Sequence, residues 1–117
     1  CYAEKLLSPI PDSFRRRYFT SESEKLNSHN QIKTEIQRLI QFRQFNLMSA
    51  EYPIATKFQL IFCRNVLYYL QPERREFLIR KLVDHLEEGG WLVLGITESG
   101  YSIDKMEKHS ISIYQKT

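Results

Sequence analysis

The sequence predicts an α/β fold. Two short apolar runs without alternation, at 58–63 and 91–95, are typical of strands that helices cover on both faces. Between them, apolar residues recur at helical spacing, which predicts a helix. The order strand, helix, strand is that of a right-handed crossover between parallel strands, and it is this order that fixes the fold class.

Two elements and a loop are predicted before residue 46. Asp12 is a candidate N-cap for a short helix, and the polar stretch at 20–30 indicates an exposed loop. Helical spacing then resumes, but from Ile40 an alternation of apolar and polar residues predicts a strand over 40–45 that ends at Asn46. The residues with helical spacing are Ile32, Ile36, Leu39 and Ile40.

The second half of the chain is easier to divide. Pro72 suits the first turn of the central helix, and Gly89-Gly90 is expected to end that helix through a left-handed C-cap. Residues 91–95 form the next strand, and the alternation at 110–114 predicts a final antiparallel strand. The apolar stripe of the helix consists of Ile79, Leu82, Val83 and Leu86.

Composition limits the classes of protein. The 117 residues are 42% hydrophobic, enough for one modest domain, and no apolar run approaches the roughly 20 residues of a membrane helix. Cys1 and Cys63 are too few for a disulfide framework or a metal cluster. We therefore expect a cytoplasmic protein without a metal site. Because the chain starts at Cys1 rather than Met, we expect it to be part of a longer polypeptide.

Positive charge is concentrated in the first half, where three arginines occupy 15–17 and the net charge of the chain is +3. Such a cluster is compatible with an acidic partner or a nucleic acid. A solvated helix face is the simpler interpretation, and we expect no nucleic-acid binding and no membrane insertion.

A polar pair, Arg64-Asn65, follows the first predicted buried strand. In open α/β sheets, ligands bind at the carboxyl ends of the strands, and polar side chains are costly there unless something needs them. Asn65 and Asn46 each offer a hydrogen-bond donor and an acceptor. Two alternatives stay open: Asn46 caps a turn, and Arg64-Asn65 forms an ion pair that holds a loop.

Several short patterns occur in an order typical of one enzyme family: Arg-Tyr-Phe at 17–19, Phe-x-x-x-Asn-Leu at 42–47, Phe-x-Leu-Ile-Phe-Cys-Arg-Asn-Val-Leu-x-Tyr at 58–69, Gly-Gly-x-Leu-x-Leu-Gly at 89–95 and Thr-Glu-Ser at 97–99. Together they resemble the CheR family of chemotaxis receptor methyltransferases. These enzymes move a methyl group from S-adenosylmethionine to receptor glutamates. The resemblance covers nearly the whole chain.

The resemblance implies a Rossmann-like S-adenosylmethionine-dependent methyltransferase fold, of which residues 1–117 are the C-terminal part. Residues 18–42 would form a remnant of a small β-subdomain, and 43–117 the distal half of the sheet. The glycine-rich loop of the family has no counterpart, since the chain holds only four glycines, from Gly89 onward. We expect the missing N-terminal half as a partner and the isolated fragment to be inactive.

The resemblance also implies site residues and a reaction. S-adenosylmethionine would be the cofactor and Tyr69 the catalytic residue beside the transferred methyl group; a shift of one position would exchange Tyr69 with Tyr68. Glu98 would border the acceptor pocket or, alternatively, hold a loop by hydrogen bonding. The implied cofactor-binding residues are Asn46, Leu47, Arg64 and Asn65.

The implied activity is protein-glutamate O-methylation of the cytoplasmic region of chemoreceptors. The alternative, from another functional class, is a non-catalytic interaction domain that keeps the methyltransferase fold and binds a signalling partner. An intact glycine-rich loop upstream would favour the enzyme.

Overall fold

The computed structural model describes residues 2–21, 29–98 and 100–117. The chain divides into two compact units, with the boundary between Gln44 and Phe45. Each unit has its own sheet, of three strands in the first and four in the second. No helix in the described part of the chain has the length and apolar character needed to cross a bilayer.

The first unit contains a small antiparallel sheet in the order β1-β3-β2. Phe19 pairs with Ile32 and Thr20 with Gln31, so β2 and β3 form a hairpin. Its elements are β1 (Tyr2–Ala3), a 3-10 helix (Glu4–Leu7), α1 (Asp12–Tyr18), β2 (Phe19–Ser21), β3 (His29–Ile32) and α2 (Thr34–Gln37).

Two predictions for this unit were wrong in part. Pro11, not Asp12, is the N-cap of α1; Asp12 lies in the first turn, where its carboxylate is 3.7 Å from Arg15. Both ends of the predicted loop at 20–30 belong to strands instead, because β2 includes Thr20 and Ser21 and β3 begins at His29. Residues 22–28 of that loop lie outside the described residues.

The predicted strand at 40–45 is absent, since residues 40–46 form neither helix nor strand. Helical spacing before it produces only the single turn of α2. Phe42 is 93% exposed and Ile40 45% exposed, so these two apolar residues do not face a core, whereas Phe45 is half-buried with its ring centroid 5.0 Å from that of Tyr52. Alternation in sequence stabilises a strand only when a neighbouring strand supplies hydrogen bonds and one face is buried.

The second unit confirms the predicted α/β arrangement. Strand β4 pairs in parallel with β5, while β5–β7 and β6–β7 are antiparallel, in the order β4-β5-β7-β6. Its elements are β4 (Phe58–Cys63), a 3-10 helix (Leu67–Tyr69), α3 (Pro72–Asp84), β5 (Leu86–Leu94), a 3-10 helix (Ile96–Glu98), β6 (Met106–Ser110) and β7 (Ile113–Lys116).

One hydrophobic core lies between α3 and the sheet. Ile79, Leu82 and Val83 of the predicted stripe are buried on α3, whereas Leu86, which was predicted on the helix, is the buried first residue of β5. The buried face of α3 packs against alternate residues of β5 and against Tyr114 of β7. Fully burying one such aliphatic side chain contributes about 1.5–3 kcal/mol, so this layer stabilises the second unit. The fully buried members are Leu67, Leu78, Leu86, Leu92, Leu94 and Tyr114.

Strand β4 lies at an edge of this sheet. Its face away from the core carries large apolar side chains that stay accessible: Phe58 is 36% exposed, Leu60 47% and Phe62 66%. The opposite face ends in the buried Cys63. Within the part of the chain that the structure describes, the strand is therefore covered on one face.

The expected role of Gly89-Gly90 was wrong. Helix α3 ends at Asp84 with His85 as C-cap, and both glycines lie inside β5. The pairing shifts there, because Phe58 faces Leu86 but Leu60 faces Trp91. Gly89 has φ +77°, and a Cβ at Gly90 would lie 3.2 Å from the carbonyl oxygen of Phe58. The pair thus permits an irregular, tightly approached start of the strand.

A lysine replaces the glycine cap at the end of α3. Lys116 Nζ donates to the carbonyl oxygens of Val83 (3.0 Å) and Leu86 (2.9 Å), and it lies 3.5 Å from the Glu88 carboxylate. Carbonyls at a helix end lack partners within the helix. Lys116, on the last strand, therefore bonds carbonyls that lie 33 and 30 residues earlier in the chain. No local sequence pattern indicates this contact.

The C-terminal strand is antiparallel, as predicted, but displaced. Strand β7 spans Ile113–Lys116 rather than 110–114, and it forms a hairpin with β6, which was not predicted. The Tyr114 hydroxyl donates to the carbonyl oxygen of Tyr101 at 3.0 Å, which ties the loop before the hairpin to the core.

Candidate functional site

The backbone turns sharply after β4. Cys63, the last residue of the strand, is buried, whereas Arg64 and Asn65 are exposed. Asn65 has φ +62°, a left-handed conformation that Asn adopts more readily than most residues. The turn therefore places a guanidinium and an amide at the carboxyl edge of the sheet, as the sequence predicted.

Glu98, the last residue of the 3-10 helix that follows β5, holds this turn. Its side chain is only 1% exposed. Oε2 accepts hydrogen bonds from the backbone amides of Gly95 (3.0 Å) and Asn65 (3.1 Å), and Oε1 accepts one from Tyr68 (3.1 Å). Of the two alternatives for Glu98, the structure shows the loop-holding hydrogen bonds.

These hydrogen bonds also set the protonation of the carboxyl group. Burial alone would raise the pKa of Glu98. Hydrogen bonds from four backbone amides lower it by more than burial raises it, so the pKa lies below its ordinary value. The amides are those of Gly95, Tyr68, Asn65 and Leu67. Glu98 is therefore a carboxylate at neutral pH. Burial, and then this negative charge, raise the pKa of the Cys63 thiol to about 11.

Arg75 of α3 contacts the same segment from its other side. Its Nε donates to the carbonyl oxygen of Leu67 (3.3 Å) and its Nη2 to that of Leu70 (3.0 Å). The guanidinium lies over the Tyr101 ring, 5.6 Å from its centroid. Arg75 was not predicted as a site residue, because in the sequence it is one more residue on the polar face of the helix.

Gly95 makes the close approach of the two strand ends possible. A Cβ at this position would lie 2.9 Å from Asn65 Oδ1 and 2.9 Å from Glu98 Oε2. Real Cβ atoms do not approach other heavy atoms so closely, and any side chain here would displace the turn. The pattern Gly-Gly-x-Leu-x-Leu-Gly contains this glycine, but spacing alone assigned it no role.

Both candidate tyrosines lie on the 3-10 helix that follows the turn. Tyr68 is 70% exposed and Tyr69 82%, and their rings meet edge to face with centroids 5.5 Å apart. Two more large apolar residues close to the strand ends are accessible, Phe62 (66%) and Ile96 (68%). The choice between Tyr69 and Tyr68 stays a prediction, because both rings are available to a ligand.

Asn46 and Leu47 lie in a turn rather than at a strand end. Asn46 Oδ1 accepts a hydrogen bond from the amide of Met48 (2.9 Å), the geometry expected of a turn cap. The carbonyl oxygen of Leu47 accepts one from the Tyr52 hydroxyl (2.6 Å), and the Leu47 side chain packs in part against the core. Their role toward a cofactor stays a prediction.

Tyr52 links this turn to β4. Tyr52 packs against the core cluster that contains Cys63, and burial, followed by the Cys63 thiol, raises the pKa of its hydroxyl. The structure thus brings Asn65 and Tyr68 together at Glu98 and anchors Asn46–Leu47 separately through Tyr52.

The exposed groups suit an organic ligand with a carboxylate and hydrogen-bonding heteroatoms. Arg64 offers a planar set of donors that matches a carboxylate, and Asn65 offers a donor and an acceptor. Among the described residues, no group of three histidine, cysteine or acidic side chains is arranged to hold a metal ion.

This chain is similar in sequence to known methyltransferases. The family model described as "CheR methyltransferase, SAM binding domain" matches residues 1–115. A chemotaxis protein methyltransferase of Vibrio parahaemolyticus is 39% identical over 85 residues, which are 73% of this chain and 30% of that protein. A probable chemotaxis protein methyltransferase of Rhizobium etli is 30% identical over 118 residues, 99% of this chain and 44% of that protein.

A chemotaxis protein methyltransferase of Borreliella burgdorferi is 28% identical over 116 residues, 98% of this chain and 40% of that protein. The chain therefore spans between a third and a half of the length of the relatives that it matches over nearly all its residues, and 30% of the Vibrio protein.

Proposed function

The chain belongs to the CheR methyltransferase family, and on that premise we propose that it supplies part of the S-adenosylmethionine site of a protein-glutamate O-methyltransferase acting on chemoreceptors. The family model, which describes a domain that binds S-adenosylmethionine, covers residues 1–115. Its relatives carry the printed name chemotaxis protein methyltransferase. The receptor, its glutamates and the cytoplasmic setting belong to the proposal.

One observation carries the proposal: Arg64 and Asn65 are exposed at the carboxyl edge of the parallel strands, while Glu98 engages the backbone amide of Asn65. The turn is thus held from inside and its side chains are left for a ligand. The alternative in which Arg64-Asn65 forms the ion pair that holds the loop is not needed, because hydrogen bonds from Glu98 and Arg75 already hold it.

The donor set fits S-adenosylmethionine. The Arg64 guanidinium suits the carboxylate of its methionine part, and the Asn65 amide suits the edge of its adenine or its ribose hydroxyls. Leu47, which packs in part against the core of the same unit, suits the adenine face. The Oδ1 of Asn46 already accepts a hydrogen bond from Met48, so its NH₂ group is the part that suits a polar contact with the ligand. When bound, the cofactor supplies an electrophilic methyl group on a sulfonium.

Orientation is the main task left to the protein. A glutamate acceptor has an ordinary pKa of about 4.3, so it is ionised at neutral pH and needs no base. Tyr69 orients the acceptor carboxylate, and the exposed rings of Tyr69 and Tyr68 exclude water from the reacting groups. Orientation of this kind lowers a barrier by about 7–11 kcal/mol in the best cases.

Calorimetric titration with S-adenosylhomocysteine tests the binding role, using the natural polypeptide that contains residues 1–117. We expect Asn65→Gly and Arg64→Ala each to weaken binding by about tenfold or more, since each removes hydrogen bonds to a polar or charged group. Gly is chosen at position 65 because it tolerates the positive φ. Arg80→Ala, which removes another exposed arginine, is the matched control and should leave binding unchanged.

Wild-type affinity retained in both Asn65→Gly and Arg64→Ala would remove the pair from the site. No binding by the wild type, together with capture of a signalling protein, would favour the non-catalytic interaction domain instead.

A pair of tyrosine variants tests the catalytic assignment. Tyr69→Phe and Tyr68→Phe each remove one hydroxyl group, and the two neighbouring rings are both largely exposed. We expect Tyr69→Phe to lower kcat for methyl transfer to receptor glutamates and Tyr68→Phe to leave it nearly unchanged. The reverse result would exchange the two roles.

A further inference from the structure

We propose that Glu98 and Arg75 are positioning residues, which together fix the conformation of residues 64–70 so that Arg64, Asn65 and Tyr69 are presented to the ligand. The inference rests on the proposed function and goes beyond it by assigning a role to two side chains that do not touch the ligand. The sequence predicted that Glu98 borders the acceptor pocket or holds a loop, and it indicated no role for Arg75.

The two residues hold opposite polar groups of one backbone segment. Glu98 accepts from the amides of Asn65 and Tyr68, and Arg75 donates to the carbonyls of Leu67 and Leu70. An anion thus takes the donors and a cation takes the acceptors. Hydrogen bonds to charged groups are stronger than those between neutral groups.

The segment makes few hydrogen bonds of its own. Within it, the amide of Tyr69 donates to the carbonyl of Val66 (3.3 Å) and that of Leu70 to the carbonyl of Leu67 (3.0 Å), as expected of a short 3-10 helix with strained hydrogen-bond geometry. Asn65 is also held at a positive φ. Bonds from outside the segment are therefore what select this conformation over other loop conformations.

Both partners are themselves well fixed. Glu98 is 1% exposed and additionally accepts from the amide of Gly95, so it is tied to the end of β5. Arg75 projects from α3 and stacks over Tyr101. Residues of β5 and α3 form the core of the second unit. Glu98 and Arg75 therefore anchor the loop to that core.

Glu98→Gln is the most informative variant because it preserves shape while it changes hydrogen bonding. The amide oxygen can replace only one carboxylate oxygen, and the NH₂ group then faces backbone N–H groups that need an acceptor. Arg75→Ala tests the other side of the segment and remains informative if Glu98→Gln does not fold. The matched controls are Glu76→Gln and Arg80→Ala, which alter an exposed ion pair of the same helix.

Three measurements on the natural polypeptide separate positioning from simple stabilisation. They are the dissociation constant for S-adenosylhomocysteine, the amide hydrogen exchange of residues 65 and 68, and the midpoint of urea unfolding. We expect Glu98→Gln and Arg75→Ala each to weaken ligand binding by about tenfold, since residues 64–70 lose hydrogen bonds that keep them in the conformation that presents Arg64 and Asn65. Exchange at 65 and 68 should accelerate at urea concentrations where the protein is folded, and both controls should match the wild type.

Faster exchange with unchanged affinity of the folded variants would contradict the inference and leave Glu98 and Arg75 as stabilising residues, while the proposed function stood. Unchanged exchange in Glu98→Gln would contradict it as well. No binding of S-adenosylhomocysteine by the wild type would instead contradict the proposed function and, with it, this inference.

Discussion

The backbone nitrogen of Asn65 lies 3.1 Å from Glu98 Oε2, although 33 residues separate them along the chain. The same oxygen accepts a hydrogen bond from Gly95. One carboxylate oxygen therefore joins the carboxyl ends of two adjacent parallel strands, β4 and β5. The candidate ligand-binding turn is thereby coupled to the strand beside it.

The contribution of Glu98 to stability should depend on pH. Because the pKa of Glu98 is lowered in the folded protein, its stabilisation is complete above the unfolded-state pKa of about 4.3 and is lost as pH falls through the lower folded-state value. Urea unfolding should show a gap in the free energy of unfolding between wild type and Glu98→Gln that is wide at neutral pH and narrows as the pH falls below about 4.3. Glu76→Gln, at an exposed site, should show no such narrowing; a gap that is constant with pH would refute the assignment.

Gly95→Ala should disturb both stability and ligand binding. The added methyl group would lie 2.9 Å from Asn65 Oδ1 and Glu98 Oε2, and overpacking of this kind costs about 1–3 kcal/mol. Gly89→Ala is the comparison: it is strained by its positive φ, but a Cβ there meets no described atom within 4 Å. We expect Gly89→Ala to lower only the free energy of unfolding, measured in urea, whereas Gly95→Ala also weakens binding of S-adenosylhomocysteine. Equal ligand affinities of the two variants would contradict this expectation.

The Cys63 thiol should be unreactive in the folded protein. It is buried, and its pKa is raised to about 11, so little of the nucleophilic thiolate exists near neutral pH. Alkylation by iodoacetamide at about pH 8, quantified by mass spectrometry of the peptide that contains Cys63, should be far slower in the native than in the urea-unfolded protein. Similar rates in both states would show that the end of β4 is open to solvent.

Lys116→Met should destabilise the second unit without changing the ligand site. Methionine keeps the apolar stem but leaves the carbonyls of Val83 and Leu86 without the donor that now satisfies them. Leaving such buried groups unpaired costs about 1–3 kcal/mol, which should appear as a lower free energy of urea unfolding. Lys57→Met, at an exposed position, provides the control, and equal stability of the two variants would count against a capping role for Lys116.

The central elements of the second unit were predictable because their signals are local. The apolar run at 58–63 became β4, and Pro72 became the first residue of α3. The position of Arg64-Asn65 after a parallel strand followed directly. The strand prediction for residues 40–45 was wrong because a strand also needs a neighbouring strand. Alternation of apolar and polar residues carries no information about whether that neighbour exists.

The remaining features depend on contacts between distant residues. Gly89-Gly90 lies in an irregular stretch of β5 rather than at a helix end, and Lys116, far along the chain, bonds the carbonyls of Val83 and Leu86. Likewise, Glu98 reaches Asn65 only when β4 and β5 are already paired. Sequence spacing indicated that the end of the sheet was special, but not which side chains hold it.

The open side of β4 has a consequence for how affinity will be measured. Its backbone groups are paired with β5 on one side only within the described residues, and such an edge is a template for a strand from elsewhere. Any polypeptide segment that docks there becomes a neighbour of Arg64 and Asn65, which directly follow the strand. A segment that pairs with β4 and also contacts Arg64 or Asn65 would link edge occupancy to ligand affinity, and the observed dissociation constant would then depend on the concentration of that segment.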